Sequence, residues 1–153
     1  MRISVDIGFG YTKAVSEAGK EVNFPSVVGV KRASSVTFAF GADANDDYVV
    51  AISDPSKPDE EAHSYYVGDA ALTAGGQRTW EDEHAKNRNL DVLIATAMGL
   101  LNENDQEPVQ LAVGLPLSVY AAQHADLQRK LTGLSLRVSV EGEKKTGTKE
   151  IRV

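Results

Sequence analysis

Ile3, Val5 and Ile7 alternate with Ser4 and Asp6, a period of two that predicts a strand ending beside a carboxylate. Gly8-Phe9-Gly10 then reads as a tight turn, and residues 11–15 as the returning strand. Residues 20–30 read as a third strand interrupted by Pro25, which implies an edge or a bend because proline has no ladder donor. Short β-rich runs at 36–41 and 48–52 flank a loop at 43–47. The polar, proline-punctuated stretch 53–62 is expected to be exposed and mobile. A short strand at 64–67 leads to a helical turn at 69–73, and residues 75–88 read as a charged connector.

Beyond the connector the period changes. Leu90, Leu93, Ile94, Ala97, Leu100 and Leu101 recur at the spacing of one buried helical stripe. Asn89 is the predicted N-cap, with Asp91 favourable in the first turn, and residues 102–108 end the helix. The short apolar run 109–113 suits a central strand. Ser118 is predicted to cap a second helix reaching about residue 132, with Leu127 and Leu131 on one face and Gly133 as its stop. Leu134, Leu136, Val138 and Val140 alternate with Ser135, Arg137 and Ser139, a half-buried strand. Residues 141–147 turn the chain, and Ile151 and Val153 begin another strand. Ending inside an apolar alternation fits a truncated longer protein better than a natural terminus.

Composition narrows the class. A chain of 153 residues, 42% hydrophobic and 25% charged, fits one globular domain with a sizeable core. Asp6 interrupts the N-terminal apolar stretch, which excludes a signal peptide, and no apolar run is long enough for a membrane span. The absence of cysteine removes disulfides and thiolate chemistry, and the cytoplasm is the expected compartment. A net charge of −6 argues against direct nucleic-acid binding, and the basic residues of 144–152 are interleaved with acids.

The opening hairpin carries the candidate chemistry. Glycines in the turn let backbone N–H groups approach an anion, Asp6 suits a hydrated Mg²⁺, and Lys13 suits a phosphate oxygen. The P-loop pattern is absent, and a dinucleotide fingerprint would need a third glycine where Lys13 stands. The residues alone leave open an ordinary hairpin with an exposed acid and lysine. Other candidates are weaker. His63, His84 and His124 share no ligand spacing, and the acidic run 81–84 reads as a solvated connector. Ser118 has no His–Asp company and Gly114-Leu-Pro-Leu-Ser118 is no nucleophile elbow. Trp80 alone makes no stacking platform, and Tyr65 and Tyr66 read as packing residues.

DIGFGYTK at the start resembles the first phosphate loop of the actin/Hsp70/sugar-kinase superfamily. The segment YYVGDAAL at 65–72, the segment VQLAVGLPLSVY at 109–120 and the strands of 134–153 are similar, in order, to ParM-type plasmid-segregation actins. The resemblance implies an α/β, actin-like (ribonuclease H-like) ATPase domain with a mixed central sheet, built from residues 1–35 and 77–153. Residues 36–76 would be an inserted β-rich subdomain, and the second domain would lie outside this chain. It further implies ATP (or GTP) with Mg²⁺, contacted by Gly8, Phe9, Gly10, Tyr11, Thr12 and Lys13, with Asp6 reaching the metal through water. Gly114 and Pro116 would shape the loop after a central strand. The water-orienting residue would lie past Val153 and the second phosphate loop in the second domain, Asp6-Ile-Gly8 being the only D-x-G here, so no catalytic residue is assigned within the chain. The intact protein would form filaments, hydrolyse ATP and reach DNA through an adaptor, while these residues alone would be inactive. A non-polymerising small-molecule kinase and a non-catalytic scaffolding module are the alternatives.

Overall fold

Strand β1 (Arg2–Ile7) and strand β2 (Tyr11–Ser16) each bury every second residue, which is the alternation read from the sequence. The computed structural model describes residues 1–31, 47–73, 75–78, 83–103, 107–142 and 147–153. The expected strand at 36–41, the loop residues 43–46, Trp80 and the first two residues of the acidic run 81–84 lie outside the described residues.

Two sheets share one core. The first has the order β3-β2-β1-β8, with β3 (Glu21–Pro25) antiparallel to β2 and β8 (Gln110–Gly114) parallel to β1. The second has the order β10-β9-β5-β6-β4-β7. Its strands are β4 (Val27–Val30), β5 (Tyr48–Ser53), β6 (His63–Val67), β7 (Gln77–Arg78), β9 (Ser135–Glu141) and β10 (Lys149–Arg152). β5 and β6 lie between β9 on one side and β4 on the other.

The chain crosses from one sheet to the other at Ser26, directly after Pro25. The single predicted strand 20–30 is therefore two: β3, an edge of the first sheet, and β4, which lies between β6 and β7 in the second. The proline sits where an edge and a bend coincide. The run 109–113, predicted central, is instead at the edge of the first sheet among the described residues, with exposed and half-buried positions alternating along β8. The short helix α1 (Asp69–Thr73) packs on β4 and β6, as the sequence suggested for residues 69–73.

Helix α2 (Glu83–Leu101) corrects another expectation. Asn89 is not its cap; the helix begins six residues earlier, and Asn89 is buried within it. The polar stretch before Leu90 lacks an apolar stripe, so periodicity could not extend the helix backwards. Helix α3 (Leu117–Leu131) likewise starts one residue before Ser118. Its cap is Pro116, with no side-chain hydrogen bond, so Ser118 is an exposed first-turn residue. Gly133, at φ 76°, ends it as predicted, in a conformation that costs glycine nothing. No helix among the described residues is long and apolar enough to cross a membrane.

Helix α2 contacts β1, β2 and β3 of the first sheet and β4, β5, β9 and β10 of the second. Leu90, Leu93, Ile94, Ala97, Met98 and Leu101 are all buried there. Phe24 of β3 meets Tyr48 of β5 edge-to-face at 5.7 Å, a second bridge between the sheets. The helix comes close to the second sheet at Gly99, where an added Cβ would lie 2.8 Å from Val140 Cγ2 and 3.0 Å from Val138 Cγ1. The Gly99→Val variant is therefore expected to lose about 1–3 kcal/mol of stability through overpacking, measured by urea denaturation. A variant as stable as the parent would mean that helix and sheet part without cost.

Candidate functional site

Because β1 and β8 run parallel, their carboxyl ends lie together, and the turn into β2 rises beside them. Asp6 is the register partner of Lys13 on one side and of Gly114 on the other. The strand alternation turns Ile3, Val5 and Ile7 towards α2 and Asp6 and Lys13 outwards, both exposed. Directly opposed residues hold their Cβ atoms roughly 4.5–5.5 Å apart, so acid and lysine share one small area of surface. A Cβ at Gly114 would stand 2.9 Å from Asp6 Oδ1. Hydrogen at that position is what gives the carboxylate its place.

The face is concave, with an open cavity of about 560 Å³ lined by Ser4, Asp6, Lys13, Glu21 and Asn23 among others. Ser4, Glu21 and Asn23 were not predicted as site residues. They share the outward phase of Asp6 and Lys13, and extending that phase across the three strands would have found them. The approach of Gly114 to Asp6 had no sequence signal, because it depends on the parallel register between strands more than 100 residues apart.

In the turn, the Gly8 N–H donates to the Tyr11 carbonyl at 3.0 Å, so Gly8 closes the turn with that N–H. The Gly10 carbonyl accepts the Ser26 N–H at 2.9 Å, tying the turn to the point where the chain changes sheets. Nothing lies within 4 Å of an added Cβ at Gly10, which leaves open access above that backbone. Phe9 and Tyr11 present 62% and 51% of their surface to solvent at this same end. Thr12 points the other way. Its side chain is fully buried, and its hydroxyl lies 2.9 Å from the Ser26 hydroxyl in a hydrogen bond.

The structure thus brings Asp6 and Lys13 together, places Phe9, Gly10 and Tyr11 in the adjoining turn, and commits the Thr12 side chain to the core. No group of three or more His, Asp or Glu side chains suited to a metal occurs among the described residues. A lone strand-end carboxylate matches a cation that keeps most of its waters, as Mg²⁺ does. An acid, a lysine and an accessible glycine turn at the carboxyl ends of parallel strands can together hold a phosphate–metal group.

A mixed α/β domain with this hairpin at its head is of the actin-like class. The chain belongs to the actin-like proteins: the family model for the actin-like proteins' N-terminal domain matches residues 4–153. A ParM from Clostridium botulinum, solved as a 15-stranded filament, is 25% identical over 99% of this chain and 44% of its own, with a TM-score of 0.75. The archaeal actin homologue Ta0583 is 18% identical over 99% of this chain and 42% of its own, with a TM-score of 0.68. Bacillus thuringiensis ParM with AMPPNP is 18% identical over 96% of this chain and 41% of its own, with a TM-score of 0.63. The chain spans less than half the length of these relatives. A comparison with curated proteins returns no match.

The burial of Thr12 separates scaffold from site. Thr12→Val removes a hydrogen bond between two buried hydroxyls and is expected to lower stability by about 1 kcal/mol. Chemical denaturation measures this, and unchanged stability would place the hydroxyl outside the core network.

Proposed function

We propose that this chain is the N-terminal, phosphate-facing half of an actin-like ATPase that assembles into filaments and serves plasmid or DNA segregation. The observation that carries the proposal is the Asp6–Lys13 register pair, with Gly114 close against the Asp6 carboxylate. Support comes from the ParM relative solved as a filament and the ParM relative solved with AMPPNP. ATP, or GTP, is the ligand on this reading. Residues 1–35 and 77–153 form the main unit and 36–76 an insert, with a second domain elsewhere in the intact protein.

Phosphoryl transfer to water requires neutralised phosphate charge, an in-line water and a residue that orients it. Bound Mg²⁺ would supply charge neutralisation at the phosphate oxygens. Asp6 would hold it through a water and Lys13 would bind a phosphate oxygen directly. Gly8, Phe9 and Gly10 form the turn, and Tyr11 and Thr12 begin the returning strand, that together fix these two side chains relative to each other. No residue of this chain is assigned to the attacking water. The net charge of −6 supports contact with DNA through an adaptor and not by this domain itself. The cytoplasm is the compartment we propose.

In the intact protein, Asp6→Ala is expected to reduce Mg²⁺-dependent hydrolysis at least several-fold while leaving the melting temperature unchanged, since an exposed strand-end acid adds little stability. Turnover equal to the parent's would remove the assignment. ATP-dependent light scattering of the same protein separates a polymerising ATPase from a small-molecule kinase or a passive scaffold.

Residues 1–153 alone are expected to show no turnover and to bind Mg-ATP with a dissociation constant on the order of millimolar or weaker. Each missing charge-assisted contact costs about 1.5–3 kcal/mol, and 1.4 kcal/mol is tenfold. Calorimetric titration checks this. Micromolar affinity would mean that the site is complete within these residues.

A further inference from the structure

Among the described residues the first sheet stops at β8, and the helix that follows it is thinly supported. Helix α3 buries one side chain, Leu131, while Val119, Gln123 and Leu127 are only half-buried. Between strand and helix lies a cavity of about 320 Å³, lined by Leu111, Val113, Leu115, Tyr120, Leu127 and Val153 among others. An apolar groove beside a strand edge offers side-chain contacts and a row of backbone partners together, the two things an added strand uses.

The backbone shows which chain has begun to occupy that edge. The Gln110 N–H donates to the Met1 carbonyl at 2.8 Å, on the β1 side, so the N–H groups of Val109, Leu111 and Val113 point to the opposite edge. There the Val109 N–H donates to the Arg152 carbonyl at 2.7 Å. Arg152 therefore holds the first place on the edge, and Val153, next along the chain, lines the groove. No strand lies beside Leu111 and Val113 among the described residues.

We propose that the groove between β8 and α3 is the seat of a further strand, formed by the residues that follow Val153 in the intact protein and running parallel to β8. This rests on the reading above that the intact protein continues into a second domain, as its length relative to the actin-like structures suggests. The direction follows from the contact at Val109: the chain meets β8 at its first residues, so continuing along the edge carries it towards Gly114. Carbonyls of the added strand would accept the Leu111 and Val113 N–H groups, and its alternate side chains would enter the groove beneath α3. β8 would then lie inside the sheet, the position its apolar run suits. A second copy of the chain fits less well, because it would have to enter an edge whose first donor this chain already holds.

The test is residue-resolved hydrogen exchange on the intact protein. The Leu111 and Val113 amides are expected to exchange within roughly tenfold of Gln110 and Ala112, whose N–H groups face β1. Replacing the first five residues after Val153, the length of β8, by a glycine–serine run should speed Leu111 and Val113 at least roughly tenfold more than Gln110 and Ala112. Where that variant does not fold, one proline among those positions serves, since it removes a ladder donor. Fast exchange at Leu111 and Val113 in the parent, protection that grows with protein concentration, or protection that survives the replacement would each overturn the proposal. An open β8 edge in a protein that hydrolyses ATP and polymerises would remove this strand and leave the proposed function standing. A protected edge in a protein that does neither would do the reverse.

Discussion

The fold depends on one helix being held between two sheets. Most helices of a small domain bury one stripe and leave the opposite face in water. From Asn89 to Gly99, α2 buries every residue except the half-buried Asp91. It can do so because the first sheet covers one side and the second sheet the other. Gly99 marks how closely the second sheet is drawn in, and Thr96 meets the burial by donating its hydroxyl to the Val92 carbonyl at 2.7 Å. Neither sheet can shift without moving the other, since both register against the same side chains.

That clamp also decides where chemistry is possible. Because α2 occupies the inner face of the first sheet, the outer face of β1, β2 and β3 is left for polar groups. Strand alternation then places Asp6 and Lys13 there without any special local conformation. The parallel pairing of β1 with β8 brings Gly114 to Asp6, and the bond from the Ser26 N–H to the Gly10 carbonyl fixes the turn at the crossover. Thr12 contributes by being absent from that face: its buried bond to Ser26 anchors β2 to the core beneath the site.

The parts that were legible in the sequence are those with a local cause. Alternation located β1, β2 and β9, the apolar stripe located the later turns of α2, and a glycine at positive φ marked the end of α3. The actin-like class and mixed sheet followed from the order of motifs, and the family match over residues 4–153 agrees. What escaped was set by distant parts of the chain. The early turns of α2 carry no apolar stripe, and Ser118 has the chemistry of a cap while Pro116 holds the position. The division of residues 20–30 between two sheets needs knowledge of both sheets, and so does the edge position of β8. Asp6 and Lys13 could be named as a pair because a tight hairpin sets their register. Gly114 could not, because a parallel register between remote strands leaves no local trace.

The exposure of the site has a physical consequence. Two unit charges about 4 Å apart interact by about 1 kcal/mol in water and about 4 kcal/mol at a protein surface of lower effective dielectric. On the proposed reading, Asp6 and Lys13 on an open, wet face are therefore weak tools for holding a metal and a phosphate. The same end of the sheet exposes Phe9 at 62%, Tyr11 at 51% and, at the start of α3, Leu117 at 86%. Apolar side chains at the rim of a charged face are what a second surface would bury, and burying them would displace the water that screens the two charges. The apolar contacts would then drive closure, and closure would strengthen the polar ones. On the proposed reading this end becomes effective by being covered, with no rearrangement of Asp6, Lys13 or Gly114 required.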